Sequence, residues 1–232
     1  MLDFPMQKAM NEVFSKDGTD FKLLADTLYL THGPYNNVYD LTTFYDNHDM
    51  PRMMADDDGF INAHNWLFTV RGIPVIYQGS EIGFMRGTGE HEGNRNYYGQ
   101  QNINAAPSHK IYQQLQKIAH VRKNTPALQR GLQINIAMEG DQAMFYRVIQ
   151  DEESRQIALV LLNKGDNSIP VVVSKYLQDG DWIEQITGQI ITTENGELST
   201  VLAPNSAQVW VQNAPITNQA LLTRALEQME MQ

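Results

Sequence analysis

The chain has 232 residues, 42% of them hydrophobic and 19% charged, enough for one large soluble domain or two modest ones. Its 27 acidic and 17 basic residues give a net charge of −10, which argues against a nucleic-acid partner held through phosphates. No apolar run reaches bilayer length, so no membrane partner is expected, and the absence of cysteine excludes disulfides and thiolate zinc sites.

The N-terminus, MLDFPMQKAM, lacks the basic and then apolar regions of a signal peptide and opens inside a short apolar strand at residues 2–4. Residues 7–14 and 21–30 read as helix, interrupted at SKDGTD. Residues 41–45 are rich in β-formers and read as a strand. Phe60, Ala63, Leu67 and Val70 mark one face of a helix that should stop near Gly72 and Pro74. IPVIY, residues 73–77, is a buried-type strand, and a long Gly- and Asn-rich loop follows over 78–107. Ser108 reads as the N-cap of the next helix, whose stripe is Ile111, Leu115, Ile118 and Ala119 and which Pro126 ends. Such alternation of strand and helix favours a parallel sheet, open or closed into a barrel, with the site on loops after the strands. Both polar loops, 46–58 and 78–107, follow strands.

From about residue 132 the period changes. Leu132, Ile134, Ile136 and Met138 alternate with polar or small residues, as in a strand with one buried face. EGDQ and DEES are turns, and IPVVVS, DWIEQIT, GQIITTE and AQVWVQ complete a meander of short strands. An antiparallel sandwich is the natural reading. The tail from Ala214 reads as a short terminal helix.

The stretch TTFYDNHDMPR concentrates Asp46, Asn47, His48, Asp49 and Arg52 at the end of an apolar run. Taken alone, YDNHD reads as an Asx-rich turn, and Asp56–Asp58 as a helix start favoured by the helix dipole. His64 and His120 fall within helices, Trp182 and Trp210 on strands as core residues, and His91 on a surface loop. Asp46, His48 and Asp49 could join His91 and Glu92 on a cation, but they lie on separate loops without HxxxH or HExxH spacing, so no metal is expected. Neither a phosphate loop nor a G-x-S-x-G elbow is present.

The order of motifs adds context. TTFYDNHD, RGIPVIYQGSE, GNR, YQQLQKIAHVRKNTPALQRG and LAPNSAQVWVQ follow one another along the chain, after the opening LDFPMQKAMNEVF. This ordered set resembles the α-amylase family of glycoside hydrolases, and within it the cyclodextrin glucanotransferases and maltogenic amylases. The resemblance covers nearly all of residues 1–213.

The resemblance implies α/β plus all-β architecture. Strands six to eight of a TIM (β/α)8 barrel would occupy residues 1–125, a C-terminal antiparallel β-sandwich 126–213, and a helical tail 214–232. It implies action on α-1,4-glucans or maltooligosaccharides by a retaining mechanism. Asp49 matches the family's transition-state-stabilising carboxylate, and His48 an imidazole bonded to hydroxyls of the same sugar. Asn47 would fix the loop, and Arg95 would contact a sugar further along the donor side. His91 or Glu92 stands where the family has an aspartate ahead of that arginine. Pro51 replaces an acid after the Asn-His-Asp-Met run, and Gln78 replaces a tyrosine. These departures leave hydrolase and transglycosylase both open.

A retaining glycosidase needs two further carboxylates about 5–5.5 Å apart. In the family they follow the fourth and fifth strands, segments expected to precede Met1. The isolated chain is therefore expected to be inactive unless a second polypeptide or self-association completes the barrel. No cofactor is expected here, calcium sites being expected only upstream, and an extracellular or periplasmic location is a family-level expectation. The alternative functions are a non-catalytic carbohydrate-binding module and a structural scaffold.

Overall fold

The computed structural model describes residues 1–15 and 19–230. Leu2 bridges in parallel to Thr42, and the chain passes at once into helix α1 (Phe4–Ser15). A single turn, α2 (Lys22–Ala25), precedes strand β1 (Thr42–Thr43). Helix α3 (Asp57–Thr69) leads to strand β2 (Ile73–Pro74), which lies parallel to β1 with Thr42 opposite Ile73. Helices α4 (Gly99–Ala105), α5 (Lys110–Asn124) and α6 (Pro126–Arg130) close this half. The parallel order Leu2, β1, β2 matches the alternation read from the sequence.

The strands are shorter than expected. Residues 2–4 give one bridge because α1 begins at Phe4, where Asp3 Oδ1 accepts the Met6 N–H (3.3 Å). Among the described residues, no strand pairs with the outer side of Leu2 or of β2, so the ladder has nothing to extend against. The same open edge leaves Leu2, Phe4, Ile73 and Val75 exposed. Between α3 and β2 the chain turns through Gly72 at φ +94°, where a Cβ would stand 2.9 Å from Leu41 O.

Other local expectations need correction. The helix expected over 21–30 is only α2, because Arg71 takes the Thr27 and Leu28 carbonyls (3.0 Å each) out of any helical ladder. The break at SKDGTD falls on residues 16–18, outside the described residues, although Asp20 Oδ1 accepts the Lys22 N–H (2.8 Å) just beyond it. The 78–107 loop contains a 3-10 turn at Ser80–Ile82 and all of α4, a helix with no buried residue. The α5 N-cap is His109, whose Nδ1 accepts from Ile111 N–H (3.3 Å), while Ser108 closes the preceding 3-10 turn.

The second half is antiparallel. Strands β3 (Leu132–Glu139), β4 (Gln142–Gln150), β5 (Arg155–Asn163), β6 (Ile169–Val173), β7 (Gly180–Glu184), β8 (Ile190–Thr193), β9 (Leu198–Leu202) and β10 (Ser206–Gln212) follow in order. The large sheet runs β3-β4-β5-β10-β7-β8, and β6 pairs with β9 apart from it. The connectivity is therefore not a meander, because β10 inserts between β5 and β7 once β6 has left the sheet. Strand β9, Leu-Ser-Thr-Val-Leu, adds one to the expected strands. In β3 the simple alternation is broken by a register shift between Asn135 and Ala137.

Both faces of the large sheet are buried at its central strands, β4, β5 and β10. One face, through Phe145, Ala158, Val160, Val209 and Val211, shares a core with Met10, Trp66, Leu67 and Ile118 of the helices. The other, through Tyr146, Leu159 and Trp210, packs on Val171, Val173, Leu198 and Leu202 of the small sheet. Strand β5 is accordingly buried at every position after Arg155, which explains its unbroken apolar run. The terminal helix α7 (Gln219–Glu230) inserts Leu221 and Ala225 into this second core, and Gln228 Nε2 reaches Tyr39 Oη (2.8 Å).

Buried arginines knit the halves at the end of α3. A helix leaves its last carbonyls without intrahelical donors. Arg122 donates to Phe68, Val70 and Gly72 O (3.1, 3.2 and 2.6 Å), and Arg147 of β4 donates to Thr69 O (2.8 Å). Among the described residues, no helix is long and apolar enough to cross a membrane.

Candidate functional site

The site grows from the C-terminal end of β1. Tyr45 O accepts from Gln7 Nε2 (3.0 Å) and Asn11 Nδ2 (2.6 Å) of α1, fixing where the loop departs. Asp46 follows, buried, with both carboxylate oxygens bonded to Ser80 Oγ (2.8 and 3.0 Å). Asn47 Oδ1 accepts the Asp49 N–H (2.8 Å), an Asx turn that presents His48 and Asp49 outward. Their side chains are 59% exposed, with His48 Nε2 3.2 Å from Asp49 Oδ2.

A second loop closes on the first. Arg95 Nη2 donates to Asp49 Oδ1, and Arg95 Nε to His48 O (3.0 Å). The buried Asn94 donates to the same carbonyl (2.6 Å), and its own carbonyl accepts from Tyr77 Oη (2.8 Å). The structure thus brings Asn47, His48, Asp49 and Arg95 together. His91 stands apart: it adopts φ +67°, its backbone N–H goes to Asn94 Oδ1 (3.0 Å), and its ring pairs with Glu90 (3.1 Å). Among the described residues, no group of three His, Asp or Glu side chains is placed to hold a metal ion.

Sequence reasoning singled out Asp46 and Arg52 without their burial, and did not find Ser80 or Asn94. Asn94, Ser80, Asp46 and Arg52 are all nearly inaccessible, yet each is polar. The one usable signal was adjacency, since Asn94 precedes Arg95 in GNR and Arg52 ends the DNHDMPR run.

Burial sets the protonation of two groups beneath the site. Asp46 is pushed up to about 6, chiefly by desolvation, against the opposing effects of Ser80 and Arg52. His64, whose Nε2 lies 2.7 Å from Tyr45 Oη, is pushed down to about 3 by desolvation, and its Nδ1 has no partner. The signs oppose. Folding favours protonated Asp46, so that contribution falls as pH rises from about 4 to 6, by about 3 kcal/mol in all. Folding favours neutral His64, so that contribution falls as pH drops from 6.5 toward 3, by about 4–5 kcal/mol in all. The two slopes nearly cancel between pH 6 and 4, and the His64 loss is unopposed below about pH 4. Urea midpoints should therefore stay nearly level from pH 6 to 4 and fall below it, and His64→Phe should turn the level region into a rise on acidification; an unchanged profile would count against a neutral buried imidazole.

What the open cluster offers is a carboxylate flanked by an imidazole and a guanidinium. Groups of these kinds can accept and donate hydrogen bonds to polar ligands, and a carboxylate can stabilise positive charge beside it.

Known proteins resemble this chain over most of its length. Residues 1–110 match the α-amylase catalytic domain. A β/α-amylase of Paenibacillus polymyxa is 30% identical over 226 residues, which is 90% of this chain and 18% of that protein. A cyclomaltodextrin glucanotransferase of Geobacillus stearothermophilus is 29% identical over 225 residues, 92% of this chain and 30% of that one. The solved structure of a cyclomaltodextrin glucanotransferase with a three-domain ABC distribution has 32% identity and a TM-score of 0.75, over 92% of this chain and 44% of that one. An α-amylase from Geobacillus thermoleovorans, solved with acarbose, shares the fold at 23% identity and a TM-score of 0.77, over 90% and 47%. The chain therefore spans less than a third of the length of these curated relatives and under half of these solved ones. Residues 1–110 are thus α-amylase-like, matching a partial region of that family's catalytic domain.

Proposed function

We propose that the chain is the C-terminal portion of an enzyme acting on α-1,4-glucans by a retaining mechanism. Residues 1–125 are read as the last three strands and helices of the barrel, 126–213 as the β-sandwich, and 214–232 as its helical tail. The observation that carries this reading is the exposed Asp49–His48–Arg95 cluster at the C-terminal end of β1, where barrel enzymes hold their sites. Relatives support the ligand class, since one was solved with acarbose and another with maltose.

In this reading Asp49 stabilises the oxocarbenium-like transition state, in which positive charge builds at the anomeric carbon. His48 and Arg95 bond sugar hydroxyls that tighten as the ring flattens, Asn47 holds the turn, and the exposed His91 ring meets sugars at the rim. The nucleophile and general acid are taken from outside these 232 residues. The exposed Leu2, Phe4, Ile73 and Val75 would then pack against further barrel strands, from a second polypeptide or another copy.

Titration calorimetry with maltoheptaose, run beside a reducing-sugar assay, tests the reading. Saturable binding without turnover is expected. Absence of binding would overturn the glucan assignment, and turnover like that of complete amylases would overturn the placement of the reacting carboxylates. Tryptophan emission should stay unchanged during the titration, because Trp66, Trp182 and Trp210 are all fully buried.

A further inference from the structure

Arg52 is 3% exposed and lies among three segments. Its Nη1 donates to Gln78 O (2.8 Å) and its Nε to Gly93 O (3.3 Å). Its guanidinium stacks 4.6 Å from the Tyr77 ring centroid and 5.7 Å from that of Phe84. Asp46 is 3.9 Å away, beyond hydrogen-bonding range, and is already bonded to Ser80. Nη2 is buried with no hydrogen-bond partner.

A cation buried on these terms is a poor stabiliser. Its desolvation is weakly offset by a counter-ion outside hydrogen-bonding range, and an unpaired buried donor adds a further penalty. Its hydrogen bonds go to two backbone carbonyls on separate segments, Gln78 O and Gly93 O. What the guanidinium accomplishes is geometric. Gly93 directly precedes Asn94 and Arg95, the two residues that close on His48 O. Gln78 directly follows Tyr77, whose hydroxyl holds Asn94 O. Arg52 itself sits three residues after Asp49, and its own N–H bonds Thr88 O (3.0 Å).

We propose that Arg52 is a positioning residue that locks the 77–80 and 91–95 segments onto its own loop, and so holds Asn94 and Arg95 on His48 and Asp49. Its consequence for sugar binding rests on the α-glucan reading, while the locking does not. The planar fork is essential to the role, because an ammonium at the same place cannot serve two separated carbonyls together.

The test is 1H–15N NMR of the full chain carrying Arg52→Gln or Arg52→Lys, with maltoheptaose titrated into each. In Arg52→Gln the Asn94 side-chain amide and the Arg95 Nε–H signals should lose their dispersion and exchange rapidly with water. Amides of β4 and β5 should keep their wild-type positions, and maltoheptaose affinity should fall about tenfold or more. Wild-type Asn94 and Arg95 signals in the variant would overturn the proposal whatever the affinity does. Failure of the wild-type chain to bind maltoheptaose would overturn the glucan reading, and the NMR signals would still decide on Arg52. Should Arg52→Gln not fold, Arg52→Lys retains stem and charge, and the same signals decide: displaced supports the lock, unmoved overturns it.

Discussion

Replacing Arg71 with methionine should destabilise the chain by about 3–5 kcal/mol. Arg71 and Asp3 are both fully buried, and Arg71 Nη1 donates to Asp3 Oδ2 (2.5 Å). The remaining guanidinium donors satisfy Leu28 O and Thr27 O (3.0 Å each), and the Arg71 N–H is accepted by Gln133 Oε1 (2.9 Å). Methionine approximates the stem but leaves a buried carboxylate without its cation and two carbonyls without donors. The site is also where α1, the turn after α2 and the α3–β2 connection meet, so the loss should appear as global unfolding. Urea denaturation measures it. Asp3→Asn should recover part of the loss in the double variant, with a coupling of about 1–3 kcal/mol. A shift of Arg71→Met below about 1 kcal/mol would mean that the pair is already hydrated in solution.

Asp49→Asn should weaken maltoheptaose binding about tenfold or more while leaving the thermal midpoint nearly unchanged. Asp49 faces solvent and bonds only its loop neighbours, so little of the fold depends on it. Asparagine keeps the shape but loses the charge that orders His48 and Arg95 and accepts sugar hydroxyls. It also removes the counter-charge to Arg95, freeing that guanidinium to swing away. Calorimetry at constant salt is the measurement. Equal affinity in wild type and variant would show that the glucan binds elsewhere on the chain.

Much of the architecture was legible because it is written in local periodicity. The face of α3 at Phe60, Ala63, Leu67 and Val70 is buried throughout, and Asp56 caps that helix through Gly59 N–H (2.8 Å). The hairpin at EGDQ turns through Gly140 at φ +57°. The open cluster was also within reach, since Asn47, His48 and Asp49 are consecutive and Arg95 stands in a recognisable tripeptide.

What stayed hidden depends on distant partners. Gln133 is fully buried in a strand where alternation alone gave it to solvent, because Arg71, 62 residues away, donates to it. The shortened α2 has the same origin, the Thr27 and Leu28 carbonyls just beyond it being claimed by that arginine. Helix α4 has no apolar face to announce it and relies on bonds such as Gln100 to Asn104 (2.8 Å). The frame under the site is the clearest case. Nothing local distinguishes a solvated Arg52 or Asn94 from a buried one, and only the meeting of three loops decides.

The most direct test of the central claim is a 1H–15N NMR titration of the 232-residue chain with maltoheptaose. The account predicts saturable shifts concentrated at Asn47, His48, Asp49, Asn94 and Arg95, with the strands of the large sheet unmoved. Shifts confined to the antiparallel half, or none at all, would contradict it.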